Sequence, residues 1–145
     1  MNDFSLGVLR LEPRRVLTVN AALTGFAGDI LTVNLDGVSE IATITRLSDT
    51  IHVRDSNGNV VGSFRQADIN EFQIAGDNSA GQDAILTGGA ISLTRGLTAS
   101  GTESFLLDTQ LTAGAFSQID VTGQLEFAAG SSIDVSINNQ NLSLA

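Results

Sequence analysis

The feature that most constrains this chain is a hydrophobic period of two, broken again and again by turn residues. Leu31, Val33 and Leu35 alternate with Thr32, Asn34 and Asp36, and Ile51 and Val53 with His52 and Arg54. Phe72 and Ile74 flank Gln73; Ile91 and Leu93 flank Ser92. The cleanest run sets Ile119, Val121, Gly123, Leu125 and Phe127 against Gln118, Asp120, Thr122, Gln124 and Glu126, and Ile133, Val135 and Ile137 repeat it. Successive side chains of a strand point to opposite faces, so such runs read as half-buried strands. Helical spacing is sustained nowhere, and residues 66–71 have room for a turn at most. The sequence predicts an all-β protein.

Turn chemistry separates the runs. Asp55-Ser56-Asn57-Gly58-Asn59 stands between two apolar segments, and Asn-Gly is a strong hairpin signal, so an antiparallel hairpin is expected near 51–64. Gly76–Gly81, Gly88-Gly89, Ala99-Ser100-Gly101 and Ala128-Ala129-Gly130 mark further loops. Strands thus recur about every 8–14 residues, a spacing shared by solenoids, sandwiches and barrels. Each rung of a solenoid exposes a hydrophobic row at its ends and must stack on a neighbour. The expected fold is a β-solenoid of the parallel β-helix kind carrying the 51–64 hairpin. Residues 24–75 could form a small meander or sandwich packed before the solenoid, and the alternative for the whole is a β-sandwich or irregular barrel.

Composition narrows the chemistry. The 145 residues contain no cysteine, no tryptophan, no tyrosine and one histidine, and all seven basic residues are arginine. Disulfides, thiolate metal sites and cysteine nucleophiles are excluded together. With 42% hydrophobic and only 16% charged residues the chain can build a core, which argues against disorder. Arg10, Arg14 and Arg15 precede a body with four arginines against fourteen acids. Such a body repels phosphate backbones, so no nucleic-acid partner is expected. No segment approaches the roughly 18 consecutive apolar residues of a membrane helix. Phosphate-binding loops are missing as well: there is no Gly-x-Gly-x-x-Gly and no lysine for a Gly-Lys-Ser/Thr motif.

The start of the chain has the layout of a processing signal. Three arginines precede the short apolar run Val16–Leu23, although Thr18 and Asn20 weaken it as a hydrophobic region; a first strand over Val16–Val19 behind a basic tail is the other reading. Residues 1–23 are accordingly taken as a basic, export-type segment and 24–145 as the β-rich domain. Leu9-Arg10-Leu11-Glu12-Pro13-Arg14-Arg15-Val16-Leu17 resembles the LEPR-XLL motif near the N-terminus of large secreted or surface proteins of planctomycete-type bacteria, with Val16 standing where that family often has leucine. The resemblance implies export and assembly from β-rich modules, and carries no active site. Residues 90–137 are similar to the rungs of autotransporter-like passenger β-helices, in which strand, Thr-Gly, strand and small-residue turn follow one another. The alternating segment Asn141–Leu144 begins another rung, so the chain reads as a fragment of a longer protein.

Candidate sites are few. His52 must serve any Ser-His-Asp chemistry, but it lies in an alternating strand opposite Ile51 and Val53, and no Gly-x-Ser-x-Gly elbow accompanies it. Counted from Asp55, glycine falls at the fourth position and Gln66 at the twelfth, which is wrong for an EF-hand loop. Gly81-x-Asp83-x-Ile85 is similar to the latter half of a Gly-Gly-x-Gly-x-Asp calcium repeat, making Asp77 and Asp83 the candidate metal ligands and calcium the one candidate cofactor. Asp120, Glu126 and Asp134 share the exterior parity of their strands and could form an acidic row of the kind glycoside hydrolysis requires. Exposed aromatic platforms for sugar stacking are not foreshadowed, because the seven phenylalanines mostly follow core parity. The expected function is therefore a non-catalytic structural or adhesive module of an exported, cell-surface protein. The alternatives are a carbohydrate-binding or carbohydrate-cleaving β-domain and a calcium-stabilised β-roll. Expected partners are surface or matrix components, further modules of the same polypeptide, or another copy pairing through exposed strand edges.

Overall fold

A computed structural model describes residues 19–114 and 118–135. The chain is all-β, the only helical element among the described residues being a single 3-10 turn at Gln66–Asp68, where the sequence allows no more than a turn. Five strands open it: β1 (Val19–Thr24), β2 (Ile30–Leu35), β3 (Ile41–Leu47), β4 (Thr50–Arg54) and β5 (Val60–Arg65). The next six are β6 (Glu71–Ala75), β7 (Asp83–Gly88), β8 (Ile91–Leu93), β9 (Gly96–Ser100), β10 (Ser104–Asp108) and β11 (Gln110–Ala113). The last three are β12 (Gln118–Val121), β13 (Gln124–Phe127) and β14 (Ser132–Val135). Val19–Leu23, grouped with the N-terminal segment on sequence grounds, make up most of β1 and are paired into the sheet; the motif at residues 9–17 lies outside the described residues.

The strands form three sheets, ordered β1-β2-β6-β9-β12, β13-β10-β7-β3-β4-β5 and β14-β11-β8. Two sheets are mixed and the third is parallel. From β6 onward the chain visits the first, second and third sheet in rotation, three times over. Each visit lies parallel to the one before it: Glu71 pairs with Gly96 and Gly96 with Gln118, while Asp83 pairs with Ser104 and Ser104 with Gln124. In the third sheet Ile91 pairs with Leu111 and Leu111 with Ile133. Antiparallel pairing is confined to the start, where β1 runs against β2 and β3-β4-β5 form a meander. The expected hairpin is β4–β5, with a five-residue connection, Asp55–Asn59, and a register shift at Val53/Arg54.

Registers turn the period of two into stacked rows. Leu31, Phe72, Leu97 and Ile119 align in the first sheet, as do Val33, Ile74, Ala99 and Val121. In the second sheet the rows are Ala42, Ala84, Phe105, Leu125 and Ile44, Leu86, Leu107, Phe127. In the second sheet the large Phe105 is the register partner of the small Ala84. Together with Ile91, Leu93 and Leu111 the buried members of these rows make one hydrophobic core, with Ile119 and Val121 packed against it. At the start of the chain, β1 and β5 cover its end: Ala21, Leu23, Val61 and Phe64 pack on it, and a Cβ on Gly62 would fall 2.7 Å from the Phe64 ring and 3.1 Å from the Ala21 methyl.

The run Gln118–Phe127, which reads as one strand, is two strands in different sheets. The break falls at Thr122-Gly123, where a Cβ on Gly123 would stand 2.4 Å from the Thr102 carbonyl oxygen. The cleanest alternation in the sequence also ends up the least buried. All four residues of β13 are exposed, Leu125 to 36% and Phe127 to 54%, although both occupy inward-facing rows.

Candidate functional site

Polar chemistry gathers where the chain turns from one sheet to the next. Before the first sheet, Asp29, Asn70 and Arg95 stand directly above one another. Their backbones are joined by Asn70 N–H to Asp29 C=O (2.9 Å) and Arg95 N–H to Asn70 C=O (2.9 Å). The side chains repeat the ladder: Asn70 Nδ2 donates to Asp29 Oδ2 at 2.8 Å, and Arg95 pairs with Asp29 Oδ1 at 2.7 Å and with Glu71 at 3.4 Å. The Asn70 hydrogen bond, then the Arg95 contacts, hold the Asp29 carboxyl below its ordinary value.

Between the first and second sheets Glu40, Gln82, Glu103 and Gly123 superpose, linked through Asp83 N–H to Glu40 C=O, Glu103 N–H to Gln82 C=O and Gln124 N–H to Glu103 C=O. Gln82 is fully buried and satisfied: Nε2 donates to the carbonyls of Leu35 and Gly37, and Oε1 accepts the Asp77 amide. Gly76 and Gly101 touch nearby; a Cβ on Gly101, whose φ is +69°, would lie 2.2 Å from the Gly76 carbonyl oxygen. An open groove of about 280 Å³ follows this corner, lined by Asn78, Ser79, Ala80, Gly101, Thr102 and Glu103. A similar groove of about 300 Å³ follows the corner between the second and third sheets, around Gly88, Asp108, Thr109, Gly130 and Ser131. There Thr109 Oγ1 is positioned to donate to the carbonyls of Gly88 and Gly89, both at 3.0 Å, and Arg46 reaches across to the Ala90 carbonyl.

The sequence-derived candidates fall into this frame separately. Asp77 caps its own turn, accepting the Ser79 amide at 2.9 Å, and that contact with Ser79 holds its carboxyl below the ordinary value. Asp83 Oδ1 accepts from the Ser104 hydroxyl (2.8 Å) and amide (3.2 Å) on the next pass. The two carboxylates serve different partners, and among the described residues no group of three or more His, Asp or Glu side chains could hold a metal ion. Asp55 accepts from the Asn59 side chain and from the amides of Asn57 and Asn59, which lowers its pKa and makes it the organiser of the hairpin turn.

His52 is half-buried in β4, with Nδ1 2.8 Å from Ser63 Oγ, its cross-strand neighbour in β5. That Ser–His contact escaped the sequence reading because it depends on hairpin register. It lies on a sheet face, without the third group that orients the imidazole in a triad. Asp120 and Glu126 are exposed as expected, but in different sheets, since the chain turns between them; the Asp134 side chain lies outside the described residues. Among the described residues two phenylalanines are exposed: Phe26 in the β1–β2 connection, and Phe127, which keeps core parity but lies at the far end of the second sheet. They make no common platform.

The remaining exposed feature is the last pass itself. Among the described residues β12, β13 and β14 each stand at the edge of their sheet, with Leu125 and Phe127 exposed on β13. No protein-family model, no curated protein and no solved structure matches this chain. Among the described residues no helix is long and apolar enough to cross a membrane.

Proposed function

We propose that this chain is a non-catalytic structural module of an exported surface protein, folded as a short parallel β-solenoid that is closed at its start and continued at its other end by further coils. The observation that carries the reading is the rotation of strands through three sheets, with each return parallel and in register. Stacked coils make a rod that lengthens without new design, because every coil buries the row of the coil before it. Leu125 and Phe127 support continuation: they hold inward positions that only another coil would bury. Polar ladders at the corners, rather than a pocket, supply the specific chemistry, and their role is to fix the register of one coil on the next. The export assignment rests on the motif resemblance at residues 9–17.

The experiment is fractionation of the source cells, with detection by an antibody against residues 90–137. A species much larger than 15.1 kDa in the envelope or medium is expected. A cytoplasmic species near 15.1 kDa would overturn both export and continuation.

A further inference from the structure

Among the described residues Glu40 is the one buried carboxylate. It sits in the turn between β2 and β3 and is only 2% exposed. Oε2 accepts the Asp36 amide at 2.6 Å, which closes the turn on itself, while Oε1 is buried with no hydrogen-bond partner. The neighbouring donors are spent: Gln82, stacked above it, gives its amide hydrogens to Leu35 and Gly37, and the Asp77 amide goes to Gln82. The charged groups that face Glu40 come from three turns, Asp36 from its own, Asp77 from the β6–β7 turn and Asp55 from the β4–β5 turn, and each is acidic. A carboxylate buried among like charges without a cation is far more costly there than a neutral carboxyl.

We infer that this corner is a proton-dependent clasp, in which protonated Glu40 keeps the Asp36–Glu40 turn seated on the first coil and its ionisation loosens that turn. Burial raises the Glu40 carboxyl above its ordinary 4.5, against the Asp36 amide hydrogen bond, which favours the ionised form; the repulsion of the three aspartates adds to the rise. A raised folded-state value means that the folded protein binds the proton more tightly than the unfolded chain. The stabilisation is therefore full below the unfolded value and is lost as pH rises through the folded one. This runs opposite to Asp29, Asp55 and Asp77, whose lowered values stabilise above the ordinary carboxylate range and are lost as pH falls.

The test compares the melting temperature of the intact chain with that of Glu40→Gln, which keeps shape and hydrogen bonding but cannot ionise. Contributions from other titrating groups are shared and cancel in the difference. Between about pH 4 and about pH 8 the wild type should lose on the order of 3 °C or more relative to the variant. Parallel curves would overturn the clasp. A second measurement needs no variant: an NMR titration of the Glu40 side-chain carboxyl, with the Asp36 amide followed for exchange. A midpoint above 4.5 with faster Asp36 exchange on ionisation is expected, and a midpoint at or below 4.5 would overturn the inference.

Discussion

The two ends of the stack solve the same problem in opposite ways. At the start, β1 reverses against β2 and the β4–β5 hairpin reverses against β3, so Leu31, Val33, Ala42 and Ile44 are sealed to 0% exposure. At the other end the same rows finish in Ile119, Val121, Leu125 and Phe127, which are only partly buried or exposed. Antiparallel strands can close an end because the chain returns on itself through a tight turn; a parallel edge offers the pattern for one more parallel strand. The difference teaches that burial here depends on a residue's place in the stack more than on its own alternation.

The largest expected effect comes from truncating inward-facing residues at two heights, one in the middle of the first sheet and one at the open end of the second. Phe72→Ala in the middle should cost about 3–5 kcal/mol, and Leu125→Ala at the open end about 1 kcal/mol or less. Equal losses on chemical denaturation would mean that the open end is covered after all. Next comes the glycine contact between successive turns. Gly58 and Gly101 both have positive φ, but only Gly101 meets distant backbone, that of Gly76. Gly58→Ala should carry the conformational cost alone, about 1–2 kcal/mol, and Gly101→Ala an additional overpacking cost of about 1–3 kcal/mol. A Gly101→Ala loss no larger than that of Gly58→Ala would dissolve the proposed close approach.

The smallest effect belongs to the exposed ladder. Arg95→Gln should lower the melting temperature slightly at neutral pH and low salt, and the deficit should shrink in high salt, since exposed pairs contribute little. Its sign with pH is fixed by Asp29, held below 3.8 by Asn70 and Arg95. The wild-type advantage is present above that value and disappears as acid protonates Asp29. An advantage that grew in acid would contradict the pairing.

Much of the fold is legible in the sequence because it is local. The alternations of Leu31–Leu35 and Ile51–Val53 report strand and inward face, and Asn57-Gly58 reports the hairpin. Sheet membership is not legible, since a period of two says which face is buried but not which strand lies beside it. Thus Gln118–Phe127 reads as one strand until the Thr102 carbonyl against Gly123 shows why it must bend. The polar ladder is hidden for the same reason: Asn70 and Arg95 meet Asp29 from 41 and 66 residues away. Glu40 is harder still, because a glutamate in a polar turn reads as solvated, and only the stacking of Gln82 over it reveals a buried carboxyl.

Parallel, in-register stacking is tested most directly by a cross-link that only it allows. Thr98 and Asp120 are register partners on β9 and β12, on the outer face of the first sheet. Neighbouring strands lie about 4.8 Å apart, within the roughly 4.4–6.8 Å that a disulfide spans, and no native cysteine competes. Thr98→Cys with Asp120→Cys should oxidise to an intramolecular disulfide under mild air oxidation, whereas Thr98→Cys with Thr122→Cys, offset by two positions, should remain reduced. An offset pair that oxidises as readily, or a register pair that stays reduced while the protein is folded, would contradict the stacked-coil architecture.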